Sequence, residues 1–129
     1  FSKHQFKGKD ARKFLDHIMA GKIPNPGRIS LSPMLSYRGK LCGDLTVSCL
    51  DENEFMVFGS GAAQEMHRRW FESHLDKFNV EYKNRSDEFH GISIAGPNSR
   101  KVLEKIVRDD VSNEKFKFFI RYIISNYFF

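Results

Sequence analysis

Residues 1–7 alternate apolar and polar positions loosely enough to predict a first strand. Gly8-Lys9-Asp10 then supplies a turn and an N-cap for a helix that gathers Ala11, Phe14, Leu15, Ile18 and Met19 on one face and ends at Gly21. Two prolines and a glycine in residues 22–27 cannot continue a helix, so that stretch is a connector. Residues 28–50 read as an antiparallel pair folded about Tyr37-Arg38-Gly39-Lys40. A second tight turn at Asp51-Glu52-Asn53-Glu54 leads into a strand over 55–58, completing a three-strand meander. The spacing predicts a long helix over 62–78, with Met66, Trp70, Leu75 and Phe78 as its apolar contacts and Gly61 near its start. Strands are expected at 79–83 and 91–95. Pro97 at a first helical position opens a helix presenting Val102, Leu103, Ile106 and Val107. Helices that interrupt a mostly antiparallel sheet make the fold class α+β, and no internal repeat is visible.

One residue breaks the pattern. Asp44 stands between Leu41 and the Leu45-Thr46-Val47 run, in a strand otherwise built from apolar residues. Aspartate is depleted in strands and costly to bury unpaired, so Asp44 sits at a rim, is locally hydrogen-bonded, or works on a ligand.

Composition narrows the options. A chain of 129 residues that is 40% hydrophobic is long enough for one domain with a real core. The net charge of +5 raises the question of nucleic acid, but the basic residues are spread along the chain and alternate with acids, as in Asp76-Lys77, Glu81-Lys83 and Glu104-Lys105. No basic stripe emerges, and no nucleic-acid partner is expected. Cys42 and Cys49 are seven residues apart, an odd separation that on one regular strand points them to opposite faces and disfavours a disulfide. No cysteine or histidine spacing suits a metal, and no apolar span is long enough to cross a bilayer as a helix. A reducing intracellular compartment is therefore expected. Gly59-Ser60-Gly61 lacks the length of a phosphate-cradling loop and reads as a strand-to-helix turn. His67 and His74 read as a solvated helix face, and Trp70 and Phe71 as core anchors.

Several separated blocks carry a family resemblance. These are Met34-Leu35 followed by Gly39, Asp44-Leu45 and Val47; Gly59-Ser60-Gly61-Ala62-Ala63-Gln64; His67-Arg68-Arg69-Trp70-Phe71; Ser93 to Arg100; and Asp110-Val111-Ser112-Asn113-Glu114. Together they resemble the aminomethyltransferase (glycine cleavage T-protein) folate-binding family, and within it most of all the folate module of dimethylglycine and sarcosine dehydrogenases. The resemblance covers residues 1–118, which are expected to form a partial folate-binding domain, the first part of that fold. The apolar run over 119–129 departs from it and reads as a strand of the same fold or as a truncated or frameshifted tail. The chain does not begin with Met and reads as an excised piece.

The resemblance implies that tetrahydrofolate accepts a one-carbon unit from an iminium made by oxidation of a methylated amine, giving methylenetetrahydrofolate. FAD is then expected on a separate upstream domain. Asp44 takes the place of the aspartate beside the reactive pterin nitrogens, where a carboxylate both stabilises positive charge and accepts a proton. Where glycine cleavage proteins often carry two adjacent acids, this chain has Gly43-Asp44. Leu31 stands where a tyrosine commonly meets the pterin. Thr46 lies two residues beyond Asp44 on the same strand face, and Ser60 replaces a common asparagine. The resemblance also implies that the isolated chain is a poor enzyme, since family motifs that close the pocket come later. A non-catalytic regulatory or cluster-assembly module on the same fold is the alternative. A bacterial cytoplasm, or else a mitochondrial matrix, is the expected compartment.

Overall fold

Inward-facing residues of five strands decide the architecture. In the computed structural model, which describes residues 1–118, the elements run β1 (Ser2–Lys7), α1 (Ala11–Ile18), β2 (Ile29–Leu35), β3 (Leu41–Asp51), β4 (Glu54–Gly59), α2 (Gln64–Glu72), β5 (Glu81–Asn84) and α3 (Ser99–Leu103). The five strands form one antiparallel sheet in the order β2-β3-β4-β1-β5. This is the expected α+β arrangement. Residues 1–90 gather into one compact unit, and a second begins at Gly91.

In the first unit, period-two alternation sends His4 and Phe6 of β1, Met34 of β2, Leu45, Val47 and Cys49 of β3, and Phe55 and Val57 of β4 to one face, where all are fully buried. Phe14 of α1 and Phe71 of α2 cover that inner face, each with its ring centroid within 5.2 Å of Phe6. The opposite, outer face carries the other residues of each strand, including Leu31, Asp44, Thr46 and Phe58.

The structure corrects several sequence expectations. Asp10 is the N-cap of α1 by position but makes no side-chain cap bond; its carboxylate accepts instead from the amide of Asn79 at 3.0 Å, tying the helix start to the loop before β5. The helix predicted over 62–78 stops at Glu72, and only a 3-10 turn over Leu75–Lys77 follows. There the Ser73 hydroxyl donates to the Trp70 carbonyl at 2.8 Å, a local bond that competes with the helical ladder. The buried residues of α2 are His67 and Phe71, while Met66 is half exposed. His67 is therefore in the core and not on a solvated face.

Cys42 departs from simple alternation as well. The β2–β3 register steps from Met34–Gly43 to Leu35–Leu41, leaving Cys42 as the extra residue of a β-bulge. The bulge turns Cys42 against the same core that holds Cys49, so the two thiols share a face; both are free. Residues 91–95 form no strand, and Ile92 and Ile94 are exposed there. Pro97 precedes the Asn98 N-cap of α3 and does not occupy its first turn. Val107 and Val111 are buried in the second unit. The apolar run over 119–129 lies outside the described residues. Among the described residues no helix is long and apolar enough to cross a membrane.

Candidate functional site

A cross-strand ladder gathers the candidate residues. Thr46 of β3 opposes Leu31 of β2 on one side and Phe58 of β4 on the other, and one pleat away Asp44 opposes Pro33. Opposed residues point to the same face, so Leu31, Asp44 and Thr46 lie together on the outer face of the sheet. The β3–β4 ladder ends at Thr46–Phe58. Ser60 follows Gly59, the last residue of β4, and continuing the register by two residues sets it level with Asp44.

The exposure of these side chains answers the question that Asp44 poses. Its strand neighbours Leu45 and Val47 are fully buried on the inner face, while Asp44 itself is exposed. The carboxylate escapes the cost of burial simply by lying on the alternate side of the pleat. Among the described residues it takes part in no salt bridge, so its oxygens are open to a ligand. Leu31 is 59% exposed, Thr46 is half-buried and Ser60 is exposed. An exposed leucine, two hydroxyls and one carboxylate therefore share one pleated surface, an apolar patch beside three hydrogen-bonding groups. Pro33 and Phe58, which the sequence reading left out, complete this surface. Their period-two spacing from Leu31 and from Ser60 was the available signal.

Beneath the same strands lies a buried polar group. His4 and His67 meet at 6.4 Å between ring centroids, and among the described residues the ring nitrogens of His67 have no well-aligned hydrogen-bond partner, the Cys42 carbonyl being the backbone group that acts on the ring. Burial, together with the charge of His67, lowers the His4 pKa to about 4; burial also lowers that of His67, partly offset by the Cys42 carbonyl. Both imidazoles are therefore neutral at physiological pH. A separate cleft of about 320 Å³ lies between α2 and the bulged end of β3, lined by Met34, Cys42, Met66, Arg69 and Trp70. None of the four sequence-predicted residues lines it. Among the described residues no group of three histidine, cysteine or acidic side chains is placed to hold a metal.

Residues 1–122 match the family model described as the GCVT N-terminal domain. The chain belongs to that family. Among curated relatives of this GCVT N-terminal domain chain, human mitochondrial dimethylglycine dehydrogenase is 40% identical over 121 residues, covering 92% of this chain and 14% of that protein. The aminomethyltransferase of Thermosipho melanesiensis is 31% identical over 107 residues, covering 81% of this chain and 30% of that protein. The chain thus spans about a seventh of the dehydrogenase it matches. Among solved structures, the glycine cleavage system aminomethyltransferase T of Bartonella henselae superposes with a TM-score of 0.59 at 20% identity, covering 64% of this chain and 24% of that one. At that identity the likeness establishes the shared fold.

Proposed function

We propose that this GCVT N-terminal domain chain supplies one wall of a tetrahydrofolate site and takes part in one-carbon transfer from a methylated amine such as dimethylglycine or sarcosine. The observation that carries the reading is the placement of Leu31, Asp44 and Thr46 on one open face of the β2–β3 pair, with Asp44 exposed. These residues fit the group: Leu31 would underlie the pterin ring, Thr46 and Ser60 would offer hydroxyls at its edge, and Asp44 would accept from its N–H groups. When bound, tetrahydrofolate supplies the nitrogens that take up the one-carbon unit, giving methylenetetrahydrofolate. Asp44 would set its carboxylate against the positive charge that the iminium brings, take the proton from the pterin N–H that adds to the iminium carbon, and return it to the amine nitrogen, which leaves as its bond to that carbon breaks. Leu31 keeps water off one ring face, and Thr46 fixes the ring's orientation.

For the oxidation that makes the iminium we place FAD on another part of the protein, since these residues offer no dinucleotide-binding glycine pattern. The human relative is a mitochondrial protein, which favours a mitochondrial compartment for this chain over a bacterial cytoplasm.

The test is calorimetric titration of tetrahydrofolate into the full-length protein, wild type against Asp44→Asn, with turnover of dimethylglycine measured in parallel. The reading expects wild-type binding, and a substitution that cuts one-carbon transfer about 10²-fold while amine oxidation continues. Absence of folate binding by the wild type would overturn it in favour of a regulatory module on the same fold.

A further inference from the structure

The strand positions immediately before Asp44 and Ser60 are both glycines, and both face the same side chain. A Cβ on Gly43 would stand 2.7 Å from Nε2 of His67. One on Gly59 would stand 3.1 Å from His67 Nδ1 and 2.6 Å from Leu45 Cδ2. Neither glycine has the positive φ found at Gly8, Gly27, Gly39 and Gly96, so backbone conformation does not account for them. The imidazole alone fills the space at Gly43, and at Gly59 it shares that space with Leu45 Cδ2, so the ring reaches both strands where side chains are missing.

The location is specific. At this end of the sheet the β3–β4 ladder has stopped at Thr46–Phe58, and on the other side of β3 the Cys42 bulge interrupts the ladder to β2. The stretch of β3 that carries Asp44 therefore lacks a regular backbone clamp to β4. His67, 2% exposed and held by α2, touches both Gly43 and Gly59 across that opening.

We propose that His67 is a positioning residue for the outer face: seated under Gly43 and Gly59, it fixes the height and separation of the strand ends that carry Asp44 and Ser60. Because strand residues alternate between faces, a shift of either glycine is passed directly to the residue after it. A displacement of about 1 Å is enough to cost up to about 10²-fold in a reaction that depends on alignment. The consequence for ligand binding rests on the tetrahydrofolate reading; the positioning of the strands does not.

The experiment compares His67→Ala with Phe71→Ala in the full-length protein. Phe71 is fully buried on the same helix, and no glycine of either strand end meets it. Amide hydrogen exchange of the unliganded protein is read first. His67→Ala is expected to speed exchange at residues 43–46 and 59–60 about tenfold more than Phe71→Ala does, after normalising both to their loss of Tm. If His67→Ala does not fold, His67→Gln takes its place with the same expectation. Gly43→Ala should perturb the same amides, and in the Gly43→Ala/His67→Ala pair the effect should fall short of the sum of the two single effects, since removing the ring vacates the space the new methyl needs. Equal normalised exchange in the His67→Ala and Phe71→Ala variants, or strict additivity in the pair, overturns the proposal. Tetrahydrofolate affinity is read second, and His67→Ala should weaken it about tenfold against about twofold for Phe71→Ala. If the wild type binds no tetrahydrofolate, the functional reading falls while the exchange data still decide the role of His67.

Discussion

The hydroxyl of Tyr82 lies 2.8 Å from Nδ1 of His4, inside the sheet's inner face, and the two share a hydrogen bond across the β1–β5 pair. Nε2 of the same ring has no hydrogen-bond partner among the described residues. Burial holds the folded-state pKa near 4, while an unfolded chain titrates near the ordinary 6.5. Between those values the unfolded chain takes up a proton that the folded one refuses. The stability held in neutral His4 is thus present above pH 6.5 and drains away as pH falls toward 4, amounting to at most about 3 kcal/mol. His67, also lowered by burial, contributes with the same sign. Urea unfolding at pH 7.5, 5.5 and 4.5 should show a steady fall, shallower in His4→Phe; a flat wild-type profile would contradict this account.

Much of the fold is legible in the sequence because alternation and turn chemistry agree there. β1, α1 and the β2–β4 meander are marked by period-two or helical spacing and by glycine and proline punctuation. The failures share a cause, which is that the deciding contact is distant in sequence. His67 reads as polar and exposed because nothing in its own helix reveals that Gly43 and Gly59 leave room for it. Cys42 and Cys49 read as opposed because a bulge cannot be seen from residue parity. Residues 91–95 alternate like a strand, but among the described residues they have no ladder partner. The candidate site was more legible than these elements. Period two places Asp44 and Thr46 together, and the hairpin turn brings Leu31 opposite Thr46.

Gly8 and Gly39 both adopt positive φ, at 146° and 71°, yet they should respond differently to alanine. A Cβ on Gly8 would stand 2.4 Å from the carbonyl oxygen of Asn79, whereas one on Gly39 meets nothing within 4 Å. Gly8→Ala should cost about 2–4 kcal/mol and Gly39→Ala about 1 kcal/mol, measured by chemical denaturation. Similar losses would mean that backbone conformation alone, and not the Asn79 contact, governs both sites.

Arg68 bridges Glu65 at 2.9 Å and Glu72 at 2.6 Å along the outer side of α2. Short as these contacts are, they lie in solvent, where side-chain ordering and water screening offset most of the attraction. Arg68→Ala should lower Tm by about 2 °C or less, and still less in 0.5 M salt, in thermal scans monitored by circular dichroism.

Asp44→Asn removes a charge from the open sheet face without opening a cavity. Its effect on unfolding free energy should stay within about 0.5 kcal/mol. A larger loss would reveal a structural duty for the carboxylate and weaken the interpretation of any change in ligand binding.

The sheet order has a consequence for how the molecule is made. β1 is synthesised before the other four strands of the sheet but is flanked by β4 and β5, so its backbone groups wait unpaired until residues 54–59 and 81–84 have been made. The nascent chain can close the local meander of β2, β3 and β4 early, while the N-terminal strand must later find a slot between neighbours far along the chain. During that interval the residues of β1 are the part of the sheet most open to wrong pairing, and protecting them is a task for whatever attends the chain as it leaves the exit tunnel.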